Sequence, residues 1–202
     1  MADYPKSVEL KNKKKIILRL MEDKDLDSLI SFYQSIPESD RLYLRVDVTE
    51  RKNLEQRFGN LNYDHVYPIL AIDENKIIGV GTLFRPTFGW TRNVGEIRVV
   101  ITPEYQRKGL ATIFVRELFF RALKAKMHKL IAEMAENQES AIAAFERLGF
   151  RKEATLKNHI TDLRGRKRDL VIMTLDVLDF WHLIEDYVES RDFVMHLSLI
   201  HI

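Results

Sequence analysis

The sequence predicts a mixed α/β domain built around a single sheet. Three observations lead there. Short runs rich in branched residues alternate with segments that carry a helical apolar stripe. Their order, β α α β β β α β α β β α, is that of a layered fold with one consistent sheet. The 202 residues are 46% hydrophobic and 31% charged, a balance that can bury one core and does not suit disorder.

"IILRL" (Ile16 to Leu20) reads as the first strand. Asp23 then caps a helix whose stripe is Leu26, Leu29, Ile30 and Tyr33, and Pro37 stops it. "SDRLYLR" is a connecting segment or a short helix. Thr49 opens a further helix that closes at Gly59, read as a left-handed cap. "VYPILAID" and "KIIGVGTLF" are two strands joined by a turn at Glu74 and Asn75, and "RNVGEIRVVI" is the next strand. Gln106 to Lys126 reads as one long helix, apolar at Leu110, Ile113, Phe114, Leu118, Phe119 and Ala122 and therefore largely buried. "HKLIAEMA" is a strand. Asn137 caps the following helix, which turns Ala141, Ala144, Phe145 and Leu148 to one side. Gly149 and Phe150 end it in a Schellman motif. Two last strands flank "DLRGR", with Gly165 in the turn. From Asp179 an amphipathic helix carries Phe180, Trp181, Ile184, Tyr187 and Val188 on its apolar side. The division expected is residues 1–176 as the main domain and 177–196 as a C-terminal helix. The closing "LSLIHI" (197–202) fits nothing before it and resembles the peptide that in-frame translation of sequencing-adaptor DNA yields. It reads as non-native, with a genuine apolar terminus as the alternative.

Composition narrows the function. The net charge is only +2, so nothing global asks for nucleic acid or an anionic membrane. Two basic clusters, "KNKKK" (Lys11 to Lys15) and "RGRKR" (Arg164 to Arg168), read most plainly as solvated turns. Cysteine is absent, which excludes disulfides, thiolate metal sites and a cysteine nucleophile. The start has no apolar core of a secretory signal, and no apolar run reaches the ~18 residues of a membrane helix. A cytoplasmic location is expected. The histidines at 65, 128, 159, 182, 196 and 201 show no metal-ligand spacing, and no metal is expected.

"ITPEYQRKGLATIF" (Ile101 to Phe114) carries the most chemistry. It is a strand-to-helix turn whose first helical N–H groups have no partner inside the helix and sit at the positive end of its dipole. That end suits an anion such as a pyrophosphate. Gly109 lets a ligand approach the backbone, Ala111 keeps the next turn small, and Arg107 and Lys108 add charge. On its own the stretch is equally an ordinary turn with a tolerated glycine. One unit downstream stands "NQESAIAAFERLGF" (Asn137 to Phe150).

With these two stretches in order and at this spacing, the sequence resembles the GNAT acyltransferase superfamily over roughly Ile16 to Asp176. "RNVGEIRVVITPEYQRKGLA" and "DRLYLR" are further similar to the acetyltransferase domains of bacterial protein-lysine acetyltransferases. The resemblance implies a central, splayed, mostly antiparallel sheet flanked by helices. It implies acetyl-CoA as the acyl donor, with no metal. Val99, Val100 and Ile101 would offer backbone groups to the pantetheine. Gln106, Arg107, Lys108, Gly109, Leu110, Ala111 and Thr112 would hold the pyrophosphate. Asn137 and Phe145 would lie near the thioester arm. Glu96 would be the general base, since a lysine amine, with a reference pKa near ~10.4, must lose a proton before attack. A backbone N–H from Val99 or a neighbour would stabilise the oxyanion. Apart from the resemblance, Glu96 reads as a solvent-facing or ion-paired strand residue. Phe145 departs from the pattern, because many relatives carry a tyrosine there to protonate the leaving thiolate. Its plain reading is core packing. Tyr105 is the nearest aromatic hydroxyl in sequence and is expected to lie outside the sulfur site.

The reading is therefore an N-acetyltransferase acting by direct attack of a primary amine, with protein lysine favoured and a small amine close behind. A non-catalytic acyl-CoA-binding regulatory domain is the alternative, and nucleic-acid binding through Arg164 to Arg168 is a third. Arg41 and Arg45 are candidates for the acceptor side or for plain solvation. The expected partners are acetyl-CoA and the amine acceptor, in a monomer or homodimer.

Overall fold

The computed structural model describes residues 4–41, 44, 47, 48, 50–162 and 164–189. Thr49, Arg45 and residues 197–202 lie outside this set, as do the side chains of Tyr187 and Val188. Eight strands form one sheet in the order β1-β2-β3-β4-β5-β6-β8-β7. They are β1 (Lys6–Glu9), β2 (Lys15–Leu20), β3 (Val66–Asp73), β4 (Lys76–Phe84), β5 (Val94–Ile101), β6 (Lys129–Ala135), β7 (Arg151–Thr161) and β8 (Lys167–Asp176). Every neighbouring pair is antiparallel except β5–β6. A parallel pair needs a crossover, and helix α4 (Leu110–Lys124) supplies it. The mixed, mostly antiparallel sheet expected from the sequence is the one observed.

The chain begins one strand earlier than the sequence suggested. Lys6–Glu9 pairs with Lys15 to Leu18 in register Lys6↔Leu18 to Glu9↔Lys15, so "KNKKK" is the turn of a hairpin. The strand has only four residues and one clear alternation, too little pattern to stand out. Two caps also differ. Asp23 opens a single 3-10 turn (Asp23–Asp25), and helix α1 (Leu26–Ser35) follows it. Asp25 is the buried acid there, because its carboxylate accepts bonds from the Arg19 guanidinium at 2.5 and 2.7 Å and from the Glu22 N–H at 2.8 Å. Burial pushes the Asp25 carboxyl up, but these donors outweigh it and hold it below the usual range. Helix α3 (Arg51–Phe58) ends at Gly59 with φ −69°, not in the left-handed region, and Asn60 takes the positive φ instead.

Two apolar clusters sit on opposite faces of the sheet. One packs α1 and α3 through Leu29, Phe32, Tyr33, Leu54 and Phe58 against Leu70 and Val80. The other packs α4 through Leu110, Phe114, Leu118 and Phe119 against Ile16, Ile69, Ile97 and Met173. α5 (Glu139–Arg147) belongs to this second side, and its end is the expected Schellman motif: the Gly149 N–H bonds Glu146 O and the Phe150 N–H bonds Phe145 O. α6 (Val177–Glu189) lies over α4, with Phe180 edge-on to Phe119 at 5.2 Å and Trp181 edge-on to Phe120 at 6.3 Å. α2 (Glu38–Arg41) is a single turn between α1 and α3.

The glycines of "KIIGVGTLF" set how closely α4 approaches. A methyl group on Gly81 would stand 2.6–3.0 Å from three atoms of Phe114, including its Cβ. Helix and sheet can close only because the side chain is missing. Gly81→Ala is expected to overpack this contact and cost about 1–3 kcal/mol. Denaturant unfolding checks it, and an unchanged midpoint would mean that α4 can shift freely.

Candidate active site

The turn after β5 is more elaborate than a plain helix start. Pro103–Tyr105 forms one 3-10 turn, Gln106 is extended, Arg107 has φ 59° and Gly109 has φ 88°. The long helix therefore begins at Leu110 and ends at Lys124, four residues later and two earlier than the sequence suggested. A left-handed residue at 109 favours glycine, which explains its presence in this loop. Left-handed residues at 107 and 109 make this a tight turn, the kind of backbone in which N–H groups can form an anion-binding concavity. Gly109 has no side chain to cap the helix, so the N–H groups of Leu110, Ala111 and Thr112 remain available at the positive end of a 15-residue helix.

The strand leading into this cradle has its backbone half-open. β5 and β6 pair at Val94↔Lys129, Gly95↔Leu130 and Glu96↔Ile131, and among the described residues the ladder goes no further. β4 and β5 pair along Glu96 to Ile101. The Thr102 N–H donates to Ile78 O at 3.0 Å, so alternation gives the even-numbered residues of β5 to β4. The N–H and C=O groups of Val99 and Ile101 then face the widening gap on the β6 side, while the Ile97 N–H still belongs to the last pair of the ladder. This separates the three strand residues singled out from the sequence. Val99 and Ile101 address the gap, whereas the backbone of Val100 belongs to β4 and its side chain to the α1–α3 side. Gln106 closes over the mouth, its amide donating to Ile101 O at 3.2 Å and to Asp40 of α2 at 3.4 Å.

A brace that the sequence reading missed holds the cradle from behind. The Lys11 N–H donates to Lys108 O at 3.0 Å, and a Cβ on Gly109 would meet Lys11 Cγ at 3.2 Å. Lys14 and the Tyr105 hydroxyl both bond the Asp73 carboxylate, and the Lys14 ammonium donates to Tyr105 Oη at 3.2 Å. Lys108 lies over the Tyr105 ring at 5.2 Å. The basic cluster at the start of the chain is therefore not merely solvated, because its turn abuts the cradle. The one signal that could have found it was Asn12-Lys13 between two short apolar alternations. The second basic cluster is internally engaged: Arg164 pairs with Glu38 at 2.9 Å, and Arg166 pairs with the buried Asp162 at 2.9 Å. The Arg164 pair ties the β7–β8 turn to α2.

Glu96 stands at the closed end of the gap, on the α1–α3 face. Its carboxylate accepts from Arg98 Nε at 2.6 Å, and both side chains are half-buried. The Arg98 and Arg57 guanidiniums lie over the Phe84 ring at 4.9 and 4.5 Å. Tyr33 is buried on the same face, and burial pushes its hydroxyl up to about 12 against the opposing charges of Arg57 and Arg98. Asn137 does not cap α5. The capping position is Gln138, and Asn137 is an exposed residue of the turn that leaves the open end of β6. Phe145 is buried in the core with its ring edge-on to Phe150 at 5.0 Å, the packing role that its chemistry suggests. Tyr105 is engaged by Asp73 on the far side of the cradle. Among the described residues, no three histidine, aspartate or glutamate side chains converge as metal ligands, and no helix is long and apolar enough to cross a membrane.

A cradle, an opened strand and a carboxylate in this arrangement can be compared with known proteins. The profile of the acetyltransferase (GNAT) family matches residues 27–150, more than half of the chain. The chain belongs to the GNAT acetyltransferase family. Among curated relatives, a [ribosomal protein bS18]-alanine N-acetyltransferase of Escherichia coli K12 is 30% identical over 79 residues. That match covers 39% of this chain and 53% of the relative, so the chain spans about half the length of the curated relatives it matches. The GNAT domain of S. lividans PAT superposes with a TM-score of 0.74 at 15% identity, over 87% of this chain and 98% of that one. A ribosomal-protein-alanine N-acetyltransferase from Brucella melitensis gives 0.68 at 24% identity, over 79% and 98%. A spermidine N-acetyltransferase chimera from Vibrio cholerae gives 0.67 at 21% identity, over 82% and 98%. These structures share the GNAT fold. The family's matched segment starts after the β1–β2 hairpin, so Lys11 and Lys14 of the brace lie outside it while Asp73, Tyr105 and Lys108 lie within.

The brace carries a sign in pH. Burial pushes the Asp73 carboxyl up, but Lys14 and Tyr105 outweigh it and hold it below the usual range. A carboxyl lowered on folding stabilises above its unfolded value, near ~3.9, and the gain is lost as pH falls through the folded value. At pH 6–8 the brace is therefore intact, and Asp73→Asn breaks its charge. Because the brace supports the cradle indirectly, acetyl-CoA is expected to bind on the order of three- to tenfold more weakly to the variant. Calorimetric titration at pH 7 measures this, and an unchanged Kd would show that the cradle holds its shape without Asp73.

Proposed function

We propose that this chain is an acyl-CoA-dependent N-acetyltransferase that passes the acetyl group of acetyl-CoA directly to a primary amine. The observation that carries the reading is the opened face of β5: the cradle at Gln106 to Thr112 stands at one end of it and Glu96 at the other. The pyrophosphate would rest on the N–H groups of the cradle. The pantetheine would run along Val99 and Ile101 between the two strands, passing Asn137 at the mouth. The amine would come from the Glu96 end, so both reactants meet in one complex and positioning supplies much of the rate.

In the reaction the amine nitrogen bonds the thioester carbonyl carbon, the carbon–sulfur bond breaks, and CoA leaves as the thiolate. Glu96 takes the proton that the amine sheds, directly or through one water, while Arg98 fixes its carboxylate. The Val99 N–H would stabilise the developing oxyanion. Phe145 has no proton to give, so the thiolate would be protonated by solvent. Protein lysine is the favoured acceptor and a small amine the second. Relatives named for a ribosomal-protein alanine and for spermidine leave the acceptor as an amine in either setting. The location would be cytoplasmic.

A second reading, a non-catalytic acyl-CoA sensor, draws on Phe145. Thiol release from acetyl-CoA with a panel of lysine peptides, N-terminal peptides and small amines separates the two. Tight CoA binding with no release across the panel would favour the sensor. In the enzyme, Glu96→Gln is expected to lower kcat roughly a hundredfold or more, the usual range for a general base. Its acetyl-CoA Kd stays near wild type. Unchanged turnover at saturating substrates removes Glu96 from the chemistry.

A further inference from the structure

One surface feature has no role in the site described so far. The β4–β5 turn, "RPTFGWTRN" (Arg85 to Asn93), carries the two most exposed large apolar side chains among the described residues, Phe88 at 86% and Trp90 at 93%. Exposing two aromatic rings forfeits burial that the rest of the chain uses, so the pair calls for an explanation. The turn holds its shape. Its base is pinned on one side by the Arg85 N–H to His65 O at 2.8 Å and on the other by the His128 N–H to Asn93 O at 2.8 Å. Within it, the Val94 N–H bonds Thr91 O at 2.9 Å, and the Arg92 guanidinium donates to Gly89 O at 3.1 Å. Gly89, with φ 83°, makes the bend between the rings, and a side chain there would meet nothing within 4 Å.

The position of the turn selects its partner. It springs from Phe84, which is paired in register with Glu96, and returns at Val94, two residues before Glu96. β5 ends at Ile101, five residues beyond Glu96 and about 17 Å away at the rise of a strand, and the donor cradle follows that end. In the proposed reading the ring pair therefore stands at the acceptor's end of β5 and away from the donor's end. Around the same end lie the guanidiniums of Arg57 and Arg98, both over Phe84. Arg98 is ion-paired with Glu96, so the feature that selects a partner here is the ring pair, which attracts an apolar body.

We propose that Phe88 and Trp90 are a docking platform for the acceptor, and that the acceptor is a polypeptide segment with apolar side chains beside its reactive amine. This rests on the acetyltransferase reading, with the acceptor arriving at the Glu96 end. Holding a peptide against an exposed aromatic pair lets the binding of neighbouring residues place the amine. A small polar amine cannot use the pair.

The test uses three probes with the full chain: a short peptide with one lysine between leucine and phenylalanine, the same peptide with serine and glycine in their place, and spermidine. The apolar peptide is expected to show the highest kcat/KM, about tenfold above the polar peptide, as burial of two rings can supply. Phe88→Ser with Trp90→Ser removes that preference and leaves the acetyl-CoA Kd and the polar-peptide rate unchanged. Binding is followed separately through Trp90 fluorescence in a Trp181→Phe background, since the chain has two tryptophans. Binding of the apolar peptide that perturbs Trp90 without any acetyl transfer would sink the enzyme reading and leave the platform standing. Equal use of both peptides, or a preference that survives the double substitution, overturns the platform. So does a change from dimer to monomer in the double variant by sedimentation, which would assign the rings to a second copy of the chain. A Trp90 blue shift on phosphatidylglycerol vesicles with none on the peptide assigns them to a membrane surface.

Discussion

The structure depends on a ladder that stops. β5 and β6 are the only parallel neighbours among the described strands, and they hold each other over three residue pairs. Had the pairing continued, the backbone of Val99 and Ile101 would have been consumed inside the sheet, and no ligand could reach it. Buried backbone groups need partners, so a strand that turns its N–H and C=O groups into a gap sets up a demand. Part of it is met by Gln106, whose amide covers Ile101 O. The rest matches a ligand that is itself a chain of amides, which describes pantetheine. The same geometry suits a cradle that follows β5 directly: in the proposed reading the strand would deliver the arm, and the helix start would receive the phosphates.

The splay has to be held open by something other than the ligand. α4 does this from one side, seated against Gly79 and Gly81, where the absent side chains let Phe114 sit on the strand. At the closed end, Gly95 lies under Leu83, Met127 and Leu130, so the two strands meet closely where their ladder is intact. From the opposite face α2 bridges the opening, with Asp40 reaching Gln106 and Glu38 reaching Arg164 on the β7–β8 turn. Asp162 keeps that turn in shape by accepting two backbone N–H groups and the Arg166 guanidinium. Its own carboxyl is held below the usual range, first by the backbone bond from Arg166. The gap is thus framed by elements from both ends of the chain.

Much of this was legible in the sequence because it is local. A glycine three residues after Gln106, an apolar run behind it and a Schellman ending at Gly149 are all patterns within one turn of their cause. The strands around Glu74-Asn75 were equally plain, since both turn residues have positive φ. What could not be read was set by pairing across the chain. The four-residue β1 becomes a strand only against β2, and that pairing is what brings Lys11 to Lys108 and Lys14 to Asp73. Val100 and its neighbours look alike in "RVVI", yet the register with β4 gives one backbone to the sheet and the others to the gap. The start of α4 was misplaced for a related reason: Arg107 in a left-handed conformation is not a preference of arginine, and the surrounding packing imposes it.

The acid–base chemistry follows from the same layout. Phe145 belongs to the core, edge-on to Phe150, and cannot protonate sulfur. The Tyr105 hydroxyl is committed to Asp73, and that hydrogen bond is the first cause that raises its pKa. Tyr33 is buried on the α1–α3 face, across the sheet from the core that holds Phe145. The two faces therefore divide the work unevenly. In the proposed reading the amine side would have a positioned carboxylate at Glu96, and the thiolate side would meet the apolar ring of Phe145. That asymmetry suits the reactants. A thiol ionises near ~8.5 and departs as its anion without much help, whereas an ammonium near ~10.4 cannot attack at all until it gives up a proton. In the proposed reaction, Glu96 would put a placed carboxylate on the step that needs one.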